Sequence, residues 1–486
     1  MTERLTFNAP VPTGASLSAG GGPTAVAASE DSRVTSAAIP APEPRDRAFT
    51  WMLLFTAVLF LRPQDILPPL DFLHLAELSA TIGLVSLVAG RLARRQPVTR
   101  VTPELIGVVL FGAVIVLTAP FSIWMGGAIG VFRDVYSKVI LIYLLAVNTI
   151  TTPKRLERLT WVLVLSVGYV AFLTMIDYLH GSHMVGHGTR AQGAVGGIMG
   201  NPNDLATNMV AFLPLAAFLV LRRSSLLERA TAAGCAVLML ASAVASGSRG
   251  GFLGMIVMIV VFGVMAVRKR PGLVVAAAFA GMCALPLVPA TYWHRIASIT
   301  DESKDDFGSA QERRTLIKDS IRAFSENPLT GVGAGNFKAW DPTRPSAWHE
   351  SHNVVLQVAA ELGIVGLSVF FFMVGRAFYG IFQTRRLLRR ARRAARTGRN
   401  GRRRDGSAPI LDDEEADLLD AHSAAMLASL CGWLVCALFA SVAYTWPFYY
   451  LLALAVTPRE MLRDRQPRTS TARVKARAHA VEVAHA

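Results

Sequence analysis

Residues 353–382 read NVVLQVAAELGIVGLSVFFFMVGRAFYGIF, and residues 383–404 continue QTRRLLRRARRAARTGRNGRRR. The first stretch is long and apolar enough to cross the roughly 30 Å of hydrocarbon in a bilayer, and the second is a dense arginine run at its end. Together they predict a membrane span with a fixed direction, because arginine-rich connections stay on the cytoplasmic side. Working outward, similar apolar runs fall at about 48–61, 72–90, 103–120, 136–150, 158–179, 204–221, 229–246, 251–267, 272–290, 421–441 and 443–457. The expected fold is an all-α polytopic membrane protein of about twelve transmembrane helices. Simple alternation puts the basic connections at 91–100, 154–158, 222–229, 268–270 and 383–420 on one side. Both ends of the chain then face the cytoplasm. The opposite side receives residues 62–71, 121–135, 180–203, 246–251 and one long, partly helical loop, 291–352, which is expected to be periplasmic.

Composition supports this. Of 486 residues, 52% are apolar and only 17% charged, too oily for a water-soluble protein of this size. The net charge of +15 is carried by arginines between apolar runs and in the basic tail, where they orient membrane segments; a nucleic-acid partner is excluded on that ground. Residues 1–47 are rich in Ala, Gly, Pro, Ser and Thr and are expected to be a disordered cytoplasmic tail. No cleavable signal is visible, so the first run is expected to anchor the chain uncleaved. Residues 458–486 are expected to form a second, basic cytoplasmic tail, leaving 48–457 as the transmembrane domain. Cys235, Cys283, Cys431 and Cys436 all sit inside apolar runs, away from histidines, and indicate neither a disulfide framework nor a zinc site.

The long loop has internal order. Ser309 and Glu312 have capping-box spacing ahead of a helix expected to run to Glu326, where Asn327 and Pro328 stop it. On that helix Arg313, Ile317, Ile321 and Phe324 share one face, expected to turn inward, and Arg314, Lys318 and Arg322 share another. A glycine-rich turn, GVGAGNF at 331–337, follows. A tryptophan-bearing segment then leads to His349, Glu350 and His352.

Four segments in order, RAQGAVGGIMGNPNDLA (190–206), SGSRGGFLG (246–254), Arg313 through NPLTGVGAGNF (327–337) and HNVVLQVAAELGIVG (352–366), resemble the O-antigen ligase and polymerase superfamily of bacterial membrane glycan transferases. The resemblance covers roughly residues 100–455. It implies transfer of a glycan from an undecaprenyl pyrophosphate carrier to an acceptor glycan or glycolipid, such as lipid A core, on the periplasmic face of the inner membrane, with no cofactor and no metal. Arg249 and Arg313 match the family's essential arginines, and His352 its essential histidine. Arg190 is a third arginine of the same kind. The family pattern expects an aromatic residue four positions after its arginine, where Ile317 stands, so Arg314 remains an alternative to Arg313.

The chemistry asks for the same residue types. A pyrophosphate leaving group needs fixed cations, and guanidinium is permanently charged and binds phosphate through two parallel donors. An acceptor hydroxyl needs a base near neutral pH, the property of histidine. Asn201, Asn203 and Asp204 lie where sugar or phosphate would approach, although Asn201 ahead of Pro202 also reads as a helix cap. Asn353, Gln357 and Glu361 form a polar stripe entering the membrane, and Glu361 is read as support for the carrier site. His180, His183 and His187 lack acidic partners in sequence and are read as a loop cluster with no metal. The bland readings are an interfacial anchor for Arg249, a solvated charge for Arg313 and a helix cap for His352.

Three transfer reactions share this reading: ligation of a finished chain, polymerisation of carrier-linked repeats, and protein O-glycosylation. Ligation is favoured by the single long loop between the motifs. From another class, twelve spans with cytoplasmic ends also suit a secondary transporter. Such proteins place their site at the midplane between repeated halves, whereas these motifs cluster at one face.

Overall fold

Each of the twelve apolar runs falls on a helix in the computed structural model, which describes residues 46–186, 188–222, 224–267, 271–297, 309–344, 348–400 and 411–465. In chain order the α-helices are α1 (Arg47–Leu61), α2 (Pro63–Ile66), α3 (Leu75–Ala93), α4 (Pro103–Thr118), α5 (Met125–Val131), α6 (Ser137–Thr149), α7 (Pro153–His180), α8 (Pro202–Leu221), α9 (Leu226–Ala245), α10 (Arg249–Val267), α11 (Pro271–Ala284), α12 (Ala290–Ala297), α13 (Ser309–Glu326), α14 (Val354–Asn400), α15 (Asp413–Ala437) and α16 (Trp446–Arg465). Two short antiparallel strands, β1 (Met184–Val185) and β2 (Arg190–Ala191), pair Val185 with Arg190 between α7 and α8. Among the described residues eight helical segments are long and apolar enough to cross a membrane. The expected tails and the arginine-rich loop fall partly outside the description, at 1–45, 401–410 and 466–486.

Several helices start where the sequence places a cap. Asp46, Thr102, Thr152, Asn201, Ser225 and Asp412 each accept a bond from the first turn of the helix that follows, satisfying amides that have no partner inside the helix. Pro103, Pro153 and Pro202 occupy the first helical position, where a missing N–H costs nothing.

Packing is close where side chains are small. A Cβ on Gly254 of α10 would lie 2.2 Å from Cys436 Sγ on α15, and one on Gly432 would lie 2.8 Å from Cβ of Met258. Between helices in lipid the stabilisation comes from such close contact and from paired polar groups, because water is not there to be expelled. At the core, α16 is buried along nearly its whole length, with Trp433 stacked on Phe448 at 4.7 Å.

The structure departs from the sequence reading at several helix ends. The run expected at 136–150 begins earlier: α5 passes into α6 through a π-helical turn at Phe132–Tyr136. The run expected at 272–290 breaks at Ala284, and α12 follows as a separate helix. Residues 458–465, expected as solvated tail, are helix instead, since α16 runs through Pro458 to Arg465. Arg459 is fully buried there and makes a two-pronged bond to the equally buried Glu104 at 2.9 Å, while Arg376 reaches the same carboxylate at 2.6 Å. A charge pattern that reads as tail is instead an internal staple of α4, α14 and α16, tolerable only because each charge is paired. The arginines from 385 to 400 also continue α14 as helix rather than loop.

α13 forms over the expected residues, yet a different face turns inward. Leu316, Asp319, Ser320 and Ala323 are buried, whereas Ile317 and Ile321 are 42% and 54% exposed. Leu316 and Ala323 pack with Val332, Phe337 and Ala360. Ser320 and Ala323 on this face are small and let α13 approach its neighbours more closely than isoleucine would.

That turn repairs a break in α14. Gly363 takes φ 63°, and the Ile364 N–H leaves the ladder to donate to Pro328 O at 2.8 Å. The carbonyls of Ala360 and Glu361 accept instead from Val332 and Gly333 N–H, each at 2.9 Å. A broken helix in the membrane persists only where the freed backbone groups find such partners. Gly331, at φ 68°, lies so close that a Cβ would meet the Glu361 carbonyl carbon at 2.2 Å.

Candidate functional site

One cavity of about 620 Å³ opens among the loops at the end of the bundle opposite the basic connections. Its walls come from every segment singled out in the sequence except the glycine-rich turn: Arg190 from β2, Asn201 and Asn203 from the start of α8, Arg249 from the start of α10, Arg313 from α13, and His352 from the loop before α14. Among the described residues four guanidiniums meet there, because Arg295 on α12 joins the other three. Arg295 carries no motif and was missed; the strongly two-sided character of residues 290–297 is the signal that could have found it.

Hydrogen bonds fix the walls to one another. Arg190 donates from Nε to the Ser246 carbonyl at 3.0 Å and from Nη2 to Asn203 Oδ1 at 2.9 Å. Ser248 Oγ donates to the same Asn203 oxygen at 2.9 Å, and Arg295 Nε donates to the Gly247 carbonyl at 3.1 Å. Asn203 is therefore a clasp between the first two motifs, with its oxygen already engaged. Asn201 caps α8 by accepting from Asn203 N–H at 2.8 Å. Arg249, at the first position of α10, is 7% exposed. The Arg313 guanidinium lies 5.6 Å from the Phe439 ring centre, within reach of a cation–π attraction.

Charges of one sign crowd the cavity. Burial first, and then the field of Arg295, Arg313 and Arg249, push the pKa of Arg190 down to about 9, which leaves it cationic at neutral pH. Burial likewise holds His352 below the ordinary histidine value, followed by Arg313, with Glu312 opposing and His349 and Arg190 adding to the depression. His352 is thus a neutral imidazole at pH 7, able to accept a proton. Its backbone sits at φ 46° and its N–H donates to Ser441 Oγ at 3.0 Å. The capping role belongs to its neighbour: Asn353 Oδ1 accepts from Val355 and Leu356 N–H at 2.9 and 3.1 Å.

Asp204, Arg314, Asn353 and Glu361, all substrate-binding candidates from the sequence, are absent from the cavity lining. Glu361 is buried under the glycine-rich turn, where its Oε2 accepts from Gly335 N–H at 2.9 Å and from Tyr444 Oη at 2.8 Å. Gln357 accepts from Ala443 N–H at 3.2 Å. The polar stripe of α14 is a scaffold for two loops. In the histidine loop, His183 does have an acidic partner, Asp177, at 2.9 Å. His187 lies outside the described residues.

No curated protein matches the chain. The profile of the family described as O-antigen ligase does match, over residues 234–371, a stretch that holds Arg249, Arg295, Arg313 and His352 and leaves out Arg190 and Asn203. This match supports the O-antigen ligase superfamily for residues 234–371.

Proposed function

We propose that this protein transfers a glycan from undecaprenyl pyrophosphate to an acceptor hydroxyl at the periplasmic face of the bacterial inner membrane, as a ligase. The superfamily consists of glycosyl-transferring enzymes of the ligase and polymerase kind acting on lipid-linked glycans. The observation that carries the finer reading is the gathering of Arg190, Arg249, Arg295 and Arg313 on one cavity with His352 on its wall. The twelve helical runs, with their basic connections opposite the cavity, support a twelve-span topology with cytoplasmic ends.

In this reading the guanidiniums hold the pyrophosphate and stabilise the negative charge that grows on it as the bond to the sugar breaks. Because they supply the compensating positive charge themselves, we read the transfer as needing no metal. His352 takes the proton of the acceptor hydroxyl as its oxygen bonds to the anomeric carbon. The carrier pyrophosphate leaves with the electron pair of the old bond. A transporter would keep its polar groups near the midplane, and this cavity lies among the loops.

The test is the glycan profile of a deletion strain. Full-length chains stranded on the carrier support ligation. Single repeats stranded there mean polymerisation, and loss of glycan from proteins alone means O-glycosylation. An unchanged profile overturns the transferase reading.

A further inference from the structure

Among the described residues, Glu312 is the one acid that lines the cavity, together with four guanidiniums. Its Oε1 lies 3.4 Å from Nε2 of His349, which also lines the cavity. The sequence explains Glu312 as half of a capping box, but a glutamine serves a cap equally well. A carboxylate on a cavity that recognises an anion works against binding, so its presence needs another reason. The neighbouring histidine supplies one. A base that accepts a proton beside four cations must form a further cation, and each guanidinium opposes that.

We propose that Glu312 is a positioning residue for the transfer: paired with His349, it places one negative charge on the histidine edge of the cavity and keeps that edge basic enough to receive the acceptor's proton. The inference rests on the transferase reading and deepens it. The charged and titratable groups that act on His352 come from three elements: Arg313 and Glu312 on α13, His349 on its own loop, and Arg190 on β2. Burial, the two arginines and His349 disfavour the imidazolium, and Glu312 alone among these groups favours it. The carboxylate is in contact with His349, and its negative charge favours the protonated ring of His352 on the same cavity edge. The proton balance is simple. The hydroxyl proton moves to imidazole as the new C–O bond forms, and the imidazolium later returns it to solvent.

The experiment uses the full chain in liposomes, supplied with carrier-linked glycan extracted from a deletion strain and with an extract of that strain's membranes as acceptor. Release of carrier pyrophosphate is followed from pH 5 to 9. Glu312→Gln removes the charge and keeps both shape and capping ability. The acidic limb of the profile is expected to move down by about half a pH unit, and the plateau to fall about two- to threefold, because the remaining base is weaker. The shift is smaller than for a buried pair because both side chains are roughly half exposed to solvent. Glu312→Asp should restore much of the wild-type limb. An unmoved limb in Glu312→Gln, with His352→Ala inactive in the same assay, overturns this inference and leaves the transferase reading standing. Complete loss at every pH makes Glu312 the proton acceptor itself and also overturns it. Activity retained in His352→Ala instead removes the reading on which the inference rests.

Discussion

Glu361, buried in α14, accepts the Gly335 N–H at 2.9 Å and so ties the glycine-rich turn to the helix that begins beside His352. Removing the carboxyl leaves that amide and the Tyr444 hydroxyl without their acceptor. Glu361→Leu should lower stability by about 1–3 kcal/mol, read as a lower melting temperature in detergent. Glu361→Gln, which keeps an oxygen at the site, should lose much less. Equal losses would mean that the charge, and not the bond, matters.

The same turn gives a sharper test of backbone geometry. Gly331→Ala puts a methyl group 2.2 Å from the Glu361 carbonyl carbon at a residue with φ 68°, and should cost at least about 2 kcal/mol. Gly375 sits on α14, where an added Cβ meets nothing within 4 Å. Gly375→Ala should be neutral or mildly stabilising. Comparable membrane yields for the two variants would show that the turn is not held as described.

Arg313 and Arg314 are adjacent, and only Arg313 lines the cavity. Arg313→Ala and Arg249→Ala should each reduce transfer about a hundredfold or more, with normal membrane insertion. Arg314→Ala should stay within about twofold of wild type, in keeping with the small effect of an exposed charge. His352→Ala should cost about a hundredfold to ten-thousandfold, the range of a general base. Wild-type turnover in Arg249, Arg313 and His352 variants together would sink the site.

The pH dependence has a defined sign. A base acts in its neutral form, and burial together with Arg313 holds His352 below the ordinary histidine pKa of 6.5. Transfer should persist as the pH falls through 6.5 and decline only below it. Arg313→Gln removes a cation that disfavours the imidazolium, so whatever activity remains should show a limb moved upward toward 6.5. That direction is opposite to the one expected for Glu312→Gln. A limb in wild type above 6.5 would contradict the placement of His352 among these cations.

At the far end of the bundle, Arg459→Met leaves the buried Glu104 with Arg376 alone. Breaking such a pair costs about 3–5 kcal/mol, visible as a lower melting temperature. The protein that does fold should transfer at the wild-type rate, since the cavity lies at the other end. A selective loss of turnover at full stability would point to coupling between the two ends.

The sequence by itself determined the membrane class, the positions of the helical runs, the basic connections that share one end and the end of α13 at Asn327, because these follow from local length, charge and turn chemistry. It also singled out Arg190, Arg249, Arg313 and His352 as candidates, through motifs whose residue types suit a pyrophosphate. Only the tertiary structure decided what those residues do to one another. Arg295 has no local signature, and its place beside Gly247 arises from the way α12 folds back. The burial of Arg459 depends on Glu104, which lies 355 positions away. Polar residues that look alike in sequence divide by their partners: Asn201 and Asn353 cap helices, Asn203 clasps two loops and Glu361 holds a turn. Local pattern records which groups are polar, and long-range contact decides which of them are already satisfied and which face the cavity.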